Sequence, residues 1–400
     1  MDFAPLIPDM SQKNGCTNLL TKADTIITNS SMLVGTYSNK LLASIEVLLA
    51  TTNSYYSNKI EAQSTHPIDI EKAMRGNFNS ESKQAGLQQL SLRYIKTQKM
   101  INAALSFNQY ELLHNEMIKG AHRRFYEGDE MRNFRTFEYQ GESYSFKEGT
   151  YRTQDVAVGN HIAPAFNRID GMMHEFREGY GRELKYANLG RALVAIMASH
   201  HRLVWIHPFL DGNGRIARIM LDALLKNTTI PGVGLWSMSR GLARQSSEYK
   251  KMLSIADLDK QNTLDGRGPL SDKTLSAFCE FMLDIAIDQI NFMQGALQLN
   301  HLSSRMDEYI IDARRGRFLD DGIETLPTYT EIILKELLLK GELQRGEIPT
   351  LIGKSESTAK RLTSTLQKYH LIQSVNHKSP FTFNFSAHFA ARIFPDLIPQ

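Results

Sequence analysis

The chain has 400 residues, 42% of them hydrophobic, and its 46 Lys and Arg nearly balance its 43 Asp and Glu, for a net charge of +3. That length and apolar content build substantial cores in two or three domains, and two distant cysteines, Cys16 and Cys279, leave no disulfide framework to expect and make a reducing cytoplasm the simpler setting. No run of eighteen apolar residues occurs, and the start M-D-F-A-P-L-I-P-D has neither a basic n-region nor a long apolar h-region, so a soluble cytoplasmic protein with no membrane partner is expected.

In chain order the apolar spacing predicts helices over 12–27, 37–61, 87–120, 166–178, 187–206, 215–226, 240–255 and 272–299. Gly149 to Asn160, bounded by glycines and carrying the alternating pair Val156 and Val158, reads as a strand or hairpin. Along 187–206, Leu189, Leu193, Ile196, His200 and Leu203 form one apolar stripe. His200, His201 and His207 lack a Cys or carboxylate at a familiar ligand spacing, so zinc is not expected. Asp259 to Asp272 is the clearest break between helices, and 302–327, rich in Arg and Asp, reads as a connector helix plus turn. Beyond it, Ile332, Ile333, Leu337 and Leu338 mark one helix, Glu347 to Ile352 a short segment and Ser355 to Tyr369 another helix. Leu371 to Val375 and Phe381 to Phe385 then alternate as strands around N-H-K-S-P.

The densest chemistry lies in His207 to Arg218, H-P-F-L-D-G-N-G-R-I-A-R. Gly212 and Gly214 flank Asn213 where a turn opens onto a helix, and unpaired N–H groups at such an end, uncluttered by side chains, cradle an anion. Arg215 and Arg218 are three apart on one helix face, so two guanidinium forks reach the same polyphosphate. Asp211 adjoins the turn as a hard carboxylate suited to Mg²⁺, and His207 is a base for work near neutral pH.

These residues match the signature H-x-F-x-[D/E]-G-N-G-R-x-x-R at every specified position, and the chain over 100–280 resembles the Fic (filamentation induced by cAMP) family. The resemblance implies a mainly α fold, a Fic-type helical core with a short β-hairpin flap, and transfer of AMP from ATP to a Ser, Thr or Tyr hydroxyl of a target protein or of the chain itself. It implies His207 as the base, Asp211 as the Mg²⁺ ligand, and Gly212, Asn213, Gly214, Arg215, Ile216, Ala217 and Arg218 as the ATP-binding loop. Tyr249, in S-E-Y-K-K-M-L, is similar to a residue lining the adenine pocket, and 149–160 to the flap that pairs with an extended target segment. Ser57-Asn58-Lys59-Ile60-Glu61-Ala62 resembles an inhibitory helix, [S/T]-x-x-x-E-[G/N], whose Glu61 would pair with Arg218; Ala62 stands where Gly or Asn is usual.

The implied domains are an N-terminal helical region with the inhibitory helix (1–99), a Fic catalytic domain (100–300), a connector (301–328) and a C-terminal winged helix-turn-helix (329–400). The last carries six Lys and three Arg against five Glu and one Asp, a net +3 that is modest for DNA, so DNA and a protein partner both remain open. A homodimer stays open too. Two alternatives stand beside the transferase: a Fic enzyme with another donor or with AMP-removing activity, and a DNA-binding regulator whose core senses nucleotide.

Overall fold

The structure, a computed structural model, describes residues 2–10, 17–35, 37–104, 109–139 and 141–399. Cys16 and positions 12–16 of the first expected helix lie outside the described residues; that helix, α1, spans Thr17–Met32. It is followed by α2 (Asn39–Ile60), α3 (Pro67–Met74) and α4 (Ser82–Ala103). Ser38 caps α2, accepting from the Leu41 N–H, and His66 caps α3 with Pro67 in its first turn, where a missing N–H costs nothing.

The single helix expected over 87–120 is instead α4, α5 (Gln109–Leu112) and α6 (Asn115–Tyr126). His114 takes the N-cap of α6 and accepts from Glu116, which starts a new helix without Pro or Gly to announce it. Two hairpins come next: β1 (Thr136–Tyr139) pairs with β2 (Glu142–Ser145), and β3 (Ala157–Val158) with β4 (His161–Ile162). The strand or hairpin expected at 149–160 is the second hairpin, which starts only at Ala157 and runs on to Ile162, and 149–156 is irregular.

The core helices follow as α7 (Ile169–Tyr186), α8 (Leu189–Ile206) and α9 (Asn213–Asn227), then α10 (Met238–Arg244), α11 (Ser246–Ala256) and α12 (Asp272–Ala296). The helix expected over 240–255 is split at Gln245, whose backbone leaves helical geometry at φ −116° and ψ 35°. α8 is buried nearly all round, packed against α1, α7, α9 and α12, with Leu193 to Ala198 wholly enclosed. It is the central pillar onto which the site is built.

The connector is substantially a helix, α13 (Leu299–Arg314), burying Leu302, Met306, Tyr309, Ile310 and Ala313. The C-terminal module comprises α14 (Thr330–Lys340), β5 (Glu342–Leu343), α15 (Ile348–Ile352), α16 (Glu356–Lys368), β6 (Ile372–Gln373), β7 (Phe381–Phe383) and α17 (Ala387–Ile393). Its strands form one antiparallel sheet in the order β5-β7-β6. β5 was not expected; two residues carry too little alternation to read. Among the described residues no helix is long and apolar enough to cross a membrane.

Candidate active site

The signature segment bridges α8 and α9. His207 ends α8 in the left-handed region at φ 50° and ψ 60°, a conformation rare for a residue with a side chain and costing about 1–3 kcal/mol where the surroundings impose it. Asn213 closes the loop from the other side: its Oδ1 accepts from Phe209 N–H at 2.9 Å and its Nδ2 donates to Phe209 C=O at 2.8 Å. Gly212 caps α9 at φ 82°, where a Cβ would meet the Tyr126 ring at 2.7 Å. A Cβ on Gly214 would lie 2.6 Å from Glu61 Oε1 and 3.1 Å from Arg218 Nη1, so the missing side chain admits the carboxylate to the loop.

Four residues outside the signature hold this loop in place, and none had a sequence pattern to reveal it. Tyr126 donates to Asp211 Oδ2 at 2.7 Å and accepts from Arg215 Nη2 at 2.9 Å. His122 stacks on Phe209 with ring centroids 4.0 Å apart, accepts the Gly149 N–H at Nδ1 (2.9 Å) and therefore donates from Nε2 to Asp211 C=O (3.1 Å). Arg152, buried, donates to His207 C=O at 2.8 Å, to Gln154 C=O at 2.8 Å and to Pro164 C=O, bolting the chain before the second hairpin to the loop. Gln63 accepts from Arg215 Nη1 at 2.7 Å.

Glu61 and Arg218, 157 residues apart, meet. Arg218 Nη2 donates to Glu61 Oε1 at 2.6 Å and to Ser57 C=O at 3.0 Å, while its Nε donates to Ser57 Oγ at 2.8 Å. Burial disfavours the charge on both partners, yet Arg218 and Arg215 hold the Glu61 carboxyl below its ordinary range, and Glu61 holds Arg218 charged. Glu61 sits at the C-cap of α2, and Ala62 beyond it is left-handed at φ 56°. Ala62 N–H bonds Lys59 C=O and Gln63 N–H bonds Asn58 C=O, the paired bonds of a Schellman ending. Hence Gly or Asn suits the position, and Ala62 fills it under strain.

Electrostatics separate the histidines from the carboxylates. Burial, aided by the nearby His161, pushes His207 down to about 4, and burial lowers His122 to about 4 and His200 to about 3. All three are neutral near pH 7, and a neutral imidazole can accept a proton. Burial alone would raise Asp211, but Arg215, Tyr126 and the Gly212 N–H outweigh it and hold the carboxylate ionised. Asp257, between His161 Nδ1 (3.2 Å) and His201 Nε2 (3.1 Å), falls to about 2 because those two bonds outweigh its burial.

A cavity of about 570 Å³ opens beside the loop, walled by Glu61, Gly214 and Arg218, by His207, by Val158 to His161 of the hairpin, and by Tyr249 and Ser254 of α11. Tyr249 borders it, but its hydroxyl donates inward to His200 Nε2 at 2.7 Å, because His200 Nδ1–H is committed to Ala217 C=O. Of the expected ATP-binding set, Gly214, Arg218 and Tyr249 line this cavity; Asn213, Ile216 and Ala217 are buried in the loop and the first turn of α9, and Arg215 lies with Asp211 and Tyr126.

Comparison with known proteins agrees with this geometry. Residues 104–225 match the Fic/DOC family. Curated relatives include the protein adenylyltransferases Fic of Nematostella vectensis, 33% identical over 93 residues (23% of this chain and 21% of that protein), and of Drosophila willistoni, 30% identical over 109 residues (27% and 20%). The matches therefore span about a fifth of those proteins' length. Among solved structures, a Fic family protein from Desulfovibrio desulfuricans G20 superposes with a TM-score of 0.50 at 15% identity over 94% of this chain and 98% of that one. A Fic domain containing signaling protein from Bacteroides thetaiotaomicron gives 0.53 at 16% identity, covering 68% and 95%. At such identities the likeness is one of fold. Loop, family match and fold converge: this chain carries a Fic domain, of the Fic/DOC family, at residues 104–225.

Proposed function

We propose that this chain is a protein adenylyltransferase that moves AMP from ATP onto a Ser, Thr or Tyr hydroxyl of a target protein or of itself, and that Glu61 restrains it. The observation that carries the reading is one cavity walled at once by His207, Gly214, Arg218 and the β3–β4 hairpin. Triphosphate lies along the loop, with Asn213 and the turn amides on the α- and β-phosphates, Arg215 on the β-phosphate and Arg218 on the γ-phosphate. His207, kept neutral, takes the proton as the hydroxyl oxygen bonds the α-phosphorus and the bond to pyrophosphate breaks. Tyr249 is proposed for the adenine end.

Asp211 fits a Mg²⁺ role in its chemistry: one ionised carboxylate, with phosphate oxygens and water completing the set, is how such sites are commonly built. Bound there, the ion supplies charge neutralisation between the phosphates. Tyr126 and Arg215 hold Asp211 Oδ2, so its orientation is set before nucleotide arrives. Restraint follows from competition, since Glu61 occupies the guanidinium that the γ-phosphate requires.

The β5-β7-β6 sheet with α14, α15 and α16 supports a winged helix reading of residues 329–399. Lys360 and Arg361 are exposed on α16 and are the proposed phosphate contacts should its partner be DNA.

The test is incubation of the protein and a cell lysate with ATP labelled at the α- or the γ-phosphate. Protein-bound label from the α position alone supports the reading. Nucleotide binding by the Glu61→Gly protein with no α-label in any protein, or α-label that persists with His207→Ala, contradicts it.

A further inference from the structure

A second cavity, of about 660 Å³, lies between α2, α4 and α9 and the Gly232–Trp236 loop. Its walls are mainly apolar, with Leu42, Ile95, Leu225 and Trp236 among them, yet it also meets Asp222, a carboxylate almost entirely buried. Asp222 accepts from Asn53 Nδ2 at 3.4 Å and from Gln98 Nε2 at 3.2 Å, and both bonds fall on Oδ2. The Ser237 hydroxyl donates to Asn53 Oδ1, which fixes that amide with its nitrogen toward Asp222. Gln98, having turned its nitrogen to the carboxylate, is left with a buried Oε1 that bonds nothing in the protein.

The head of this cavity thus meets a carboxylate, with an unbonded amide oxygen buried beside it, between mainly apolar walls. Lys226 and Glu46 also border it but pair with each other at 3.6 Å, and Lys99 is exposed at its edge. Buried acceptors of this kind call for a donor, and an ammonium, with three donors and no acceptor, matches both charge and geometry. Burial raises the Asp222 carboxyl to about 7 against the pull of Lys226 and Arg218, as expected for a carboxylate short of a close cation.

We propose that this cavity binds a small organic cation, its primary ammonium seated between Asp222 and Gln98 and its apolar body lying along Leu42, Leu225 and Trp236. The proposal involves no nucleotide, so its test is independent of the transfer reaction.

The test is calorimetric titration of the full chain with phenethylamine, against 2-phenylethanol and 3-phenylpropionate as neutral and anionic counterparts of like shape. The amine should bind at least about tenfold more tightly than either counterpart, and Asp222→Asn should remove most of that preference, since a charge-assisted bond is worth about a factor of ten or more. Ala50→Phe, which adds a ring at the cavity wall, should abolish binding even if Asp222→Asn does not fold. No heat with the amine, equal affinity for the three probes, or binding untouched by Ala50→Phe would each overturn the proposal.

Discussion

At Ala62 a single methyl group sits where the backbone is left-handed and a Schellman ending closes α2. An L side chain in that region costs roughly 1–2 kcal/mol, partly offset in glycine by the freedom it loses on folding. Ala62→Gly should therefore stabilise the protein by about 0.5–1 kcal/mol, read as a higher denaturant midpoint with an unchanged slope; a lower midpoint would refute the strain. The histidines give a second residue-scale prediction. Burial keeps His207 neutral down to about pH 4, so it should still be unprotonated at pH 5.5, where a free imidazole is mostly charged. His161 is the opposite case: burial lowers it, but its bond to Asp257 prevails and raises it. Ring-nitrogen NMR at pH 5.5 should then show His207 neutral and His161 charged, and a His207 transition near pH 6.5 would contradict this account.

Among the elements, the β3–β4 hairpin depends on a side chain outside it. Arg152 is enclosed and donates to three carbonyls across the hairpin's base and the signature loop. Arg152→Met keeps much of the volume but strands those acceptors, which should cost about 3 kcal/mol or more and speed proteolytic cutting between residues 154 and 165. Unchanged cutting would mean that the hairpin is held by other contacts. This element also marks where the sequence stops being legible. The signature could be read because its chemistry is local, with residue types at fixed spacing, whereas Ser57 and Glu61 are legible only through their resemblance to an inhibitory helix. Arg152, His122 and Tyr126 reach the loop from 55 to 89 residues away, and a lone Arg, His or Tyr carries no pattern that announces it. The break at His114 was hidden because apolar spacing continued through it. The connector helix expected after 302 is α13, which starts three residues earlier and buries the stripe Leu302, Met306, Tyr309, Ile310 and Ala313 among its charged residues.

In the whole molecule, α2 is shared. Its C-terminal end holds Arg218 through Ser57 and Glu61, while α14 and β7 of the C-terminal module pack against it. The end of the chain is tied to the core as well: Arg240 donates to Asp396 C=O at 3.0 Å, and His66 Nε2 lies 3.0 Å from Pro399 C=O. Shortening the chain at Pro327 removes these contacts and uncovers part of α2, so the melting temperature should fall by at least about 5 °C, and the full chain should melt in one transition. Two resolved transitions, with the shortened chain melting where the core does in the full protein, would show that the module sits there without supporting α2.

The central claim is that an α2 carboxylate holds a nucleotide-transferring loop in check. Intact-mass spectrometry of the Glu61→Gly protein incubated with ATP and magnesium, beside wild type and the Glu61→Gly, His207→Ala double variant, tests it most directly. The account predicts a mass gain of one AMP that rises roughly 10–100-fold in the single variant, the range set by losing one charged hydrogen bond, and vanishes in the double variant. A gain equal in wild type and Glu61→Gly, or one that survives the loss of His207, would contradict it.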